Sequence, residues 1–105
     1  MSAISDAVAH APGNYRVLLE NDRVRVLEFQ SRPGDKTAMH FHPDSLTYCF
    51  NPATMLLTTP YGITEEFELR AGELIWRSET KHATENIGST EARCLVIELK
   101  EPHAH

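Results

Sequence analysis

The sequence predicts an all-β domain, a sandwich or barrel of short strands. Three observations point there. Apolar and branched residues come in runs of about four to eight. Turn-forming clusters separate those runs at close intervals: Asn21-Asp22, Pro33-Gly34-Asp35, Asn51-Pro52, Pro60-Tyr61-Gly62, Ala71-Gly72 and Gly88-Ser89. Most windows long enough for an average helix, about 11–12 residues, contain one of these breaks.

Taken in order, Tyr15–Leu19 is an apolar run ended by Asn21-Asp22. Arg23-Val24-Arg25-Val26 alternates as a half-buried strand does, and the alternation slips at Val26-Leu27, where a bulge or full burial is expected. Lys36–His42 is the next strand, stopped by Pro43-Asp44. Leu46–Phe50 is rich in aromatic and branched side chains. Met55–Thr59 and Ile63–Leu69 form a hairpin around Pro60-Tyr61-Gly62. Glu73–Arg77 and His82–Ile87 follow, and Arg93–Lys100 is a strong last strand. Helix is expected only as a turn or so, at Ala3–Ala9 or Glu79–Ala83. The unit opened by Pro33-Gly34-Asp35 and the unit opened by Ala71-Gly72-Glu73 both run into histidine, which suggests a two-fold pseudo-symmetric β-roll. The organisation expected is an N-terminal arm over 1–13, one barrel over 14–100 and a tail over 101–105.

A chain of 105 residues with 41% hydrophobic and 24% charged residues is sized and composed for a single core. The net charge of −5, without a block of Lys or Arg, argues against a nucleic-acid or membrane-surface partner. No apolar run approaches the roughly 20 residues of a membrane span. The first fourteen residues lack the basic-then-apolar pattern of a secretory signal, so a cytoplasmic protein is expected. Cys49 and Cys94 lie in apolar stretches and form no CxxC pair, which favours two buried reduced thiols over a disulfide. No nucleophile or phosphate-binding motif is present, and Glu65, Glu66 and Glu68 read as a solvated hairpin face.

The chemistry resides in the histidines. His40-Phe41-His42 places two imidazoles on one face of a strand, because side chains at i and i+2 point the same way. Neutral imidazole suits Zn, Cu, Fe and Ni. Ala38 lies on that face and is small enough to leave room. His82 opens the corresponding strand of the second unit, where it is expected to face the pair across the barrel interior. Asn86 stands about 13 Å further along a strand at 3.3 Å per residue, too far for the same metal, and with Gly88 reads as turn chemistry. His103 and His105 form a second HxH in the tail and His10 lies in the arm; neither belongs to the constellation.

The spacing Gly34, five residues, His40-Phe41-His42, followed by Gly72, His82, three residues and Asn86, resembles the two conserved motifs of the cupin superfamily. The resemblance runs from Val24 to Leu99. It implies a double-stranded β-helix, or jelly-roll barrel, with His40, His42 and His82 as ligands of a divalent metal. Small cupins often dimerise by exchanging N-terminal strands, so a homodimer is expected through the arm before Asn14. The family pattern also has a glutamate after HxH; here Leu46 and Thr47 occupy its permitted places, and Pro-x-Gly is replaced by Ser78-Glu79-Thr80-Lys81. Asp44 and Tyr48 are the nearby candidates for a substitute. Three neutral imidazoles leave a divalent ion its full charge, which favours an anionic oxygen ligand such as an enolate, a carboxylate or a β-diketone anion. A closed structural zinc site needs four protein ligands, so three imply an open one.

That set resembles the three-histidine iron dioxygenases among the cupins, acting on small anionic organic molecules. The alternatives are a non-catalytic small-molecule-binding or sensing cupin and a Zn-, Mn- or Ni-dependent isomerase. Trp76, Tyr48, Phe50, Phe41, Met39 and Met55 are candidate pocket residues, about half of them expected to line it, since ligand pockets are mostly apolar. Arg77 could meet an anionic substrate, although surface charge is its ordinary role.

Overall fold

The computed structural model describes residues 6–100. A single helical turn, α1 (Ala7–His10), precedes nine strands: β1 (Tyr15–Glu20), β2 (Val24–Ser31), β3 (His40–His42), β4 (Ser45–Cys49), β5 (Ala53–Thr58), β6 (Thr64–Leu69), β7 (Leu74–Arg77), β8 (Thr80–Asn86) and β9 (Ala92–Leu99). They form two antiparallel sheets, in the orders β1-β2-β9-β4-β7 and β3-β8-β5-β6. One buried cluster joins the sheets, with Tyr15, Leu27, Phe29, Cys49, Cys94 and Val96 from the first and Ala53, Met55 and Leu69 from the second. Among the described residues no helix is long and apolar enough to cross a membrane.

Period-two alternation assigns the inner face. Along β9, Ala92, Cys94, Val96 and Glu98 are buried; along β8, His82, Thr84 and Asn86 are. Leu27 is fully buried, and the break in alternation seen at Val26-Leu27 meets a register shift on the partner strand, between Val17 and Leu19, with Leu18 unpaired. The expected helical turn at Glu79–Ala83 is instead the start of β8. There Thr80, Lys81 and His82 pair with β3, and Ala83 begins the ladder with β5. Alternating inward side chains with partners on both sides outweigh a short helical tendency.

The strand expected over Lys36–His42 is paired as a strand only at His40–His42. Lys36 bridges Glu85, and His40 pairs with His82, so one chain advances four residues while the other advances three. The extra residue falls between Thr37 and His40. It reverses the side-chain phase, so that Thr37, His40 and His42 are all buried although the first two are three residues apart. Gly34, at φ 88°, and Gly72, at φ 79°, make the turns that open the two units, a conformation a β-carbon disfavours.

Asp6 caps α1, its Oδ1 accepting from Ala9 N at 2.9 Å, and the helix packs on β1 and β3 of its own chain. Exchange of the arm between two copies, as expected from the resemblance, would require releasing this packing and the Asp6–Arg25 ion pair. The tail with His103 and His105 lies outside the described residues. Cys49 and Cys94 are free, buried and directly opposite each other on β4 and β9.

Leu27→Ala is expected to lower unfolding free energy by about 2–5 kcal/mol, the range for emptying a well-packed core site, as measured by urea denaturation. A loss under about 1 kcal/mol would contradict the placement of Leu27 at the centre of the core.

Candidate metal centre

The β3–β8 ladder sets His40 opposite His82, with His42 two residues along the same face. The ring centroids stand 4.8 Å apart for His40–His42, 4.8 Å for His40–His82 and 5.1 Å for His42–His82. One nitrogen from each lies within 4.8 Å of the others, and all three side chains are buried. The sequence reading put His82 across the barrel from the pair. The structure instead places it on the adjacent strand of the same sheet, because β3 and β8 are hydrogen-bonded neighbours.

Each ring is held differently. His40 Nδ1 donates to Ala38 O at 2.7 Å, and His42 Nδ1 donates to Glu98 Oε2 at 2.7 Å, which leaves the Nε2 lone pair of both rings free. Ala38 thus orients His40 through its carbonyl; it precedes the strand and is exposed, so it does not line the site as expected. Neither nitrogen of His82 has a hydrogen-bond partner among the described residues. Burial drives His40 from 6.5 down to about 4, its nearest opposing influence being the bond to Ala38. Burial first, then His42, His40 and Arg77, drives His82 down to about 2. Both are neutral near pH 7.

Two residues outside the predicted set complete the surroundings. Glu98 is buried; its Oε1 accepts from Arg25 Nε and Nη2 at 3.0 and 2.8 Å, and Arg25 Nη1 reaches Asp6 Oδ2 at 3.0 Å. A carboxylate behind a ligating histidine is the usual outer support of a metal site, fixing the tautomer and the ring plane. Tyr15 Oη lies 3.2 Å from His42 Nε2 and 3.4 Å from His40 Nε2. Burial, with Cys94 and Glu98 adding, holds its phenol well above the ordinary tyrosine range.

The donor count tests whether a cation fits. Tyr15 has one hydroxyl hydrogen, whereas His40 and His42 each turn a lone pair towards it and His82 has a further acceptor unmet. A buried acceptor left unpaired costs about 1–3 kcal/mol. Three converging, buried, under-satisfied imidazoles are what a divalent ion satisfies, so the residues fit the group.

A cavity of about 70 Å³ opens beside the histidines. Its wall is largely apolar, with Phe29, Met55, Leu57, Phe67, Ile75 and Val96, and Tyr15, Thr47, Arg77 and Cys94 also face it. Of the six aromatic and methionine candidates only Met55 lines it. Trp76 and Phe50 are exposed on the outer faces, and Tyr48 meets Phe50 edge to face. Neither expected substitute for the glutamate reaches inward: Asp44 Oδ1 accepts from Glu79 N at 2.8 Å, and Tyr48 is on the outer side of β4. Asn86 is structural as expected, its Nδ2 donating to Ser31 O and Thr90 O. Arg77 is not a plain surface charge. Its guanidinium lies 4.6 Å from the Phe67 ring centroid, and no carboxylate pairs with it among the described residues.

Two antiparallel sheets closed around a histidine cluster define a double-stranded β-helix of the cupin kind. The chain is a small, single-domain, cupin-like protein. It is similar to a cupin domain from Bordetella pertussis Tohama I, with 28% identity, a TM-score of 0.77, and 96% of this chain and 99% of that one covered. An RmlC-like cupin family protein from Methanocaldococcus jannaschii shares the fold at 15% identity and TM-score 0.65, over 82% of this chain and 78% of that one. The polyketide cyclase RemF from Streptomyces resistomycificus is 29% identical at TM-score 0.59, over 83% of this chain and 64% of its own length. No known family profile and no curated protein matches the sequence.

Protonation supplies a test of the metal-free centre. An unfolded histidine titrates near 6.5, above the values of His40 and His82 in the fold, so the unfolded chain takes up protons that the folded chain refuses. Stability is therefore full above about pH 6.5 and falls as pH drops from there towards 4. Each such histidine contributes up to about 1.4 kcal/mol per pH unit. In urea unfolding between pH 6 and 5, His82→Leu is expected to show a shallower pH slope than the parent; equal slopes would contradict a neutral, buried His82.

Proposed function

We propose that this chain is a metal-dependent cupin enzyme in which His40, His42 and His82 hold a divalent ion, iron in the first instance, and that it oxygenates a small anionic organic molecule. The observation that carries the reading is the convergence of three buried imidazoles, with both nitrogens of His82 unpartnered and the Nε2 atoms of His40 and His42 turned to one shared hydroxyl. Such a ligand set contributes no negative charge, so the ion would favour an anionic oxygen of the substrate. The ion would supply Lewis acidity and, as iron, one-electron chemistry towards dioxygen.

The protein's own residues do the rest. Arg77, beside His82 and without a carboxylate partner among the described residues, offers a charge-assisted hydrogen bond to the anion. The wall of Phe29, Leu57, Phe67 and Val96 excludes water and receives an apolar body. A cavity of about 70 Å³ is far below the roughly 300–1,000 Å³ of drug-sized pockets, which favours a substrate of few atoms, an enolate or β-diketone anion for example. Glu98 holds the His42 ring in one plane and one tautomer while substrate enters and leaves.

A second reading has a specific observation behind it. The 29% identity with a polyketide cyclase favours non-redox chemistry at a zinc, manganese or nickel ion, with the metal polarising a carbonyl. A binding or sensing role without turnover is the third.

Oxygen-electrode assays on protein loaded with Fe(II) or Zn(II), using acetylacetone and related diketones, separate these. Oxygen uptake with iron and none with zinc is the expected result, with kcat/KM lowered about tenfold to a hundredfold in Arg77→Leu, the value of one hydrogen bond to a charged group. Substrate consumption with zinc and without oxygen would replace the first reading by the second. Binding without consumption under either metal would leave the third.

A further inference from the structure

We infer that two copies of this chain pack face to face through the outer surface of the five-stranded sheet, as an isologous dimer that covers Trp76. None of the histidines takes part, so the interface is independent of the metal reading.

An antiparallel sheet with one face on the core and one in water alternates apolar inward with polar outward. This sheet does not. Cross-strand register places Trp76, Leu46, Ile97, Val26 and Leu19 in one row across all five strands, from β7 to β1. The next row runs Leu74, Tyr48, Leu95 and meets charge only at Glu28 and Arg16. Their neighbours along the strands, Ile75 and Arg77 on β7, Thr47 on β4 and Val96 on β9, line the cavity on the other side. Leu74 is 66% exposed, and Trp76 and Leu19 are each 52% exposed. Contiguous apolar surface of this kind marks a surface that another molecule covers.

The four-stranded sheet shows what a solvated outer face looks like in the same chain. Its outward rows read Glu85, Leu56, Glu66 and Thr54, Glu68. That contrast selects the occupant. Each chain carries a net charge of −5, so two copies repel wherever their acidic surfaces meet. In the two apolar rows the one carboxylate, Glu28, is already met by Arg16 at 2.7 Å and by Arg93 at 3.2 Å. Two copies can approach here without like charges facing, and a charged partner would find little to recognise.

The area fits as well. Five strands about 4.8 Å apart, each about seven residues long at 3.3 Å per residue, outline a plane on the order of 550 Å², before side-chain relief is counted. A standard dimer takes about 600–1,000 Å² from each partner. Two such faces can interdigitate about 10 Å apart, as the sheets of a sandwich do. The terminal residues 1–5 and 101–105 hold only two large apolar side chains, Met1 and Ile4, too few to cover five strands.

Trp76 is the only tryptophan, which makes it a direct probe of this face. Light scattering on the full chain is expected to give twice the 11.9 kDa of one chain at high concentration. Acrylamide should quench Trp76 weakly in the dimer and more strongly as dilution dissociates it. Trp76→Glu and Leu74→Glu are each expected to raise the dissociation constant at least about a hundredfold, since an anchor is lost from both copies at once. Ile63→Glu, at a residue as exposed as Leu74 but outside the face, is expected to leave it unchanged. Should a variant fold poorly, the parent's quenching decides: a dimer whose Trp76 is quenched as freely as in the urea-unfolded chain overturns the interface. A dimer undisturbed by Trp76→Glu and Leu74→Glu, as exchange of the N-terminal arm alone would give, overturns it too. So does a monomer at every concentration, which would leave the face to a different partner.

Discussion

Strand side chains alternate with a period of two, so the register of β3 against β8 determines whether the three histidines meet inside the barrel or scatter over its surface. His40 pairs with His82, and a single extra residue between Thr37 and His40 sets the phase. A slip by one position would turn Phe41 inward and both histidines of that strand outward. Thr37 guards the register upstream, its Oγ1 sharing a 2.9 Å hydrogen bond with Thr84 Oγ1 and accepting from Thr84 N at 2.9 Å. Gly34 N and Asn86 O close the same end at 2.8 Å.

The second constraint is electrostatic. Asp6, Arg25, Glu98 and His42 form one chain of contacts from the helix cap to the centre. Arg25 and Glu98 are cross-strand partners on β2 and β9, both turned towards the interior. Taking two charges out of water costs several kcal/mol per ion, and an apolar pair of the same volume would often serve stability as well. The arrangement makes sense as positioning: Glu98 has one oxygen for Arg25 and the other for His42, so the charge that fixes the carboxylate also fixes the imidazole. The N-terminal turn α1 is tied into this chain through Asp6, which also bridges Phe41 along the edge of β3.

The fold was legible in the sequence because its signals are local. Gly34 and Gly72 mark turns that need positive φ, and Arg93–Lys100 reads as a strand from alternation alone. His40 and His42 were legible for the same reason, a period-two spacing on one strand. His82 was found through its place in a repeated unit, but its neighbour was not, since strand order is a long-range property. Glu98 left a trace that could have been read: it is the one charged residue on the inward row Ala92, Cys94, Val96, Glu98. Tyr15 left none. It opens an otherwise exposed strand and owes its position to β1–β2 pairing and to Phe29. Asp44 and Tyr48 are near the histidines only in sequence, whereas the hydroxyl that lies between the His40 and His42 Nε2 atoms belongs to Tyr15, 25 residues upstream of His40. Trp76 and Phe50 fall on the outer side of the candidate set, since a hydrophobic residue on a strand is as free to face solvent as to face a pocket.

The function proposed for this protein depends on whether the three imidazoles hold a metal ion in solution. Elemental analysis of protein purified without a histidine tag or chelator, beside an identically prepared His40→Ala variant, addresses that most directly. The account predicts close to one equivalent of a divalent transition metal per chain in the parent and its loss from the variant. Metal-free parent protein that also fails to take up added iron or zinc, or a metal content untouched by His40→Ala, would contradict it.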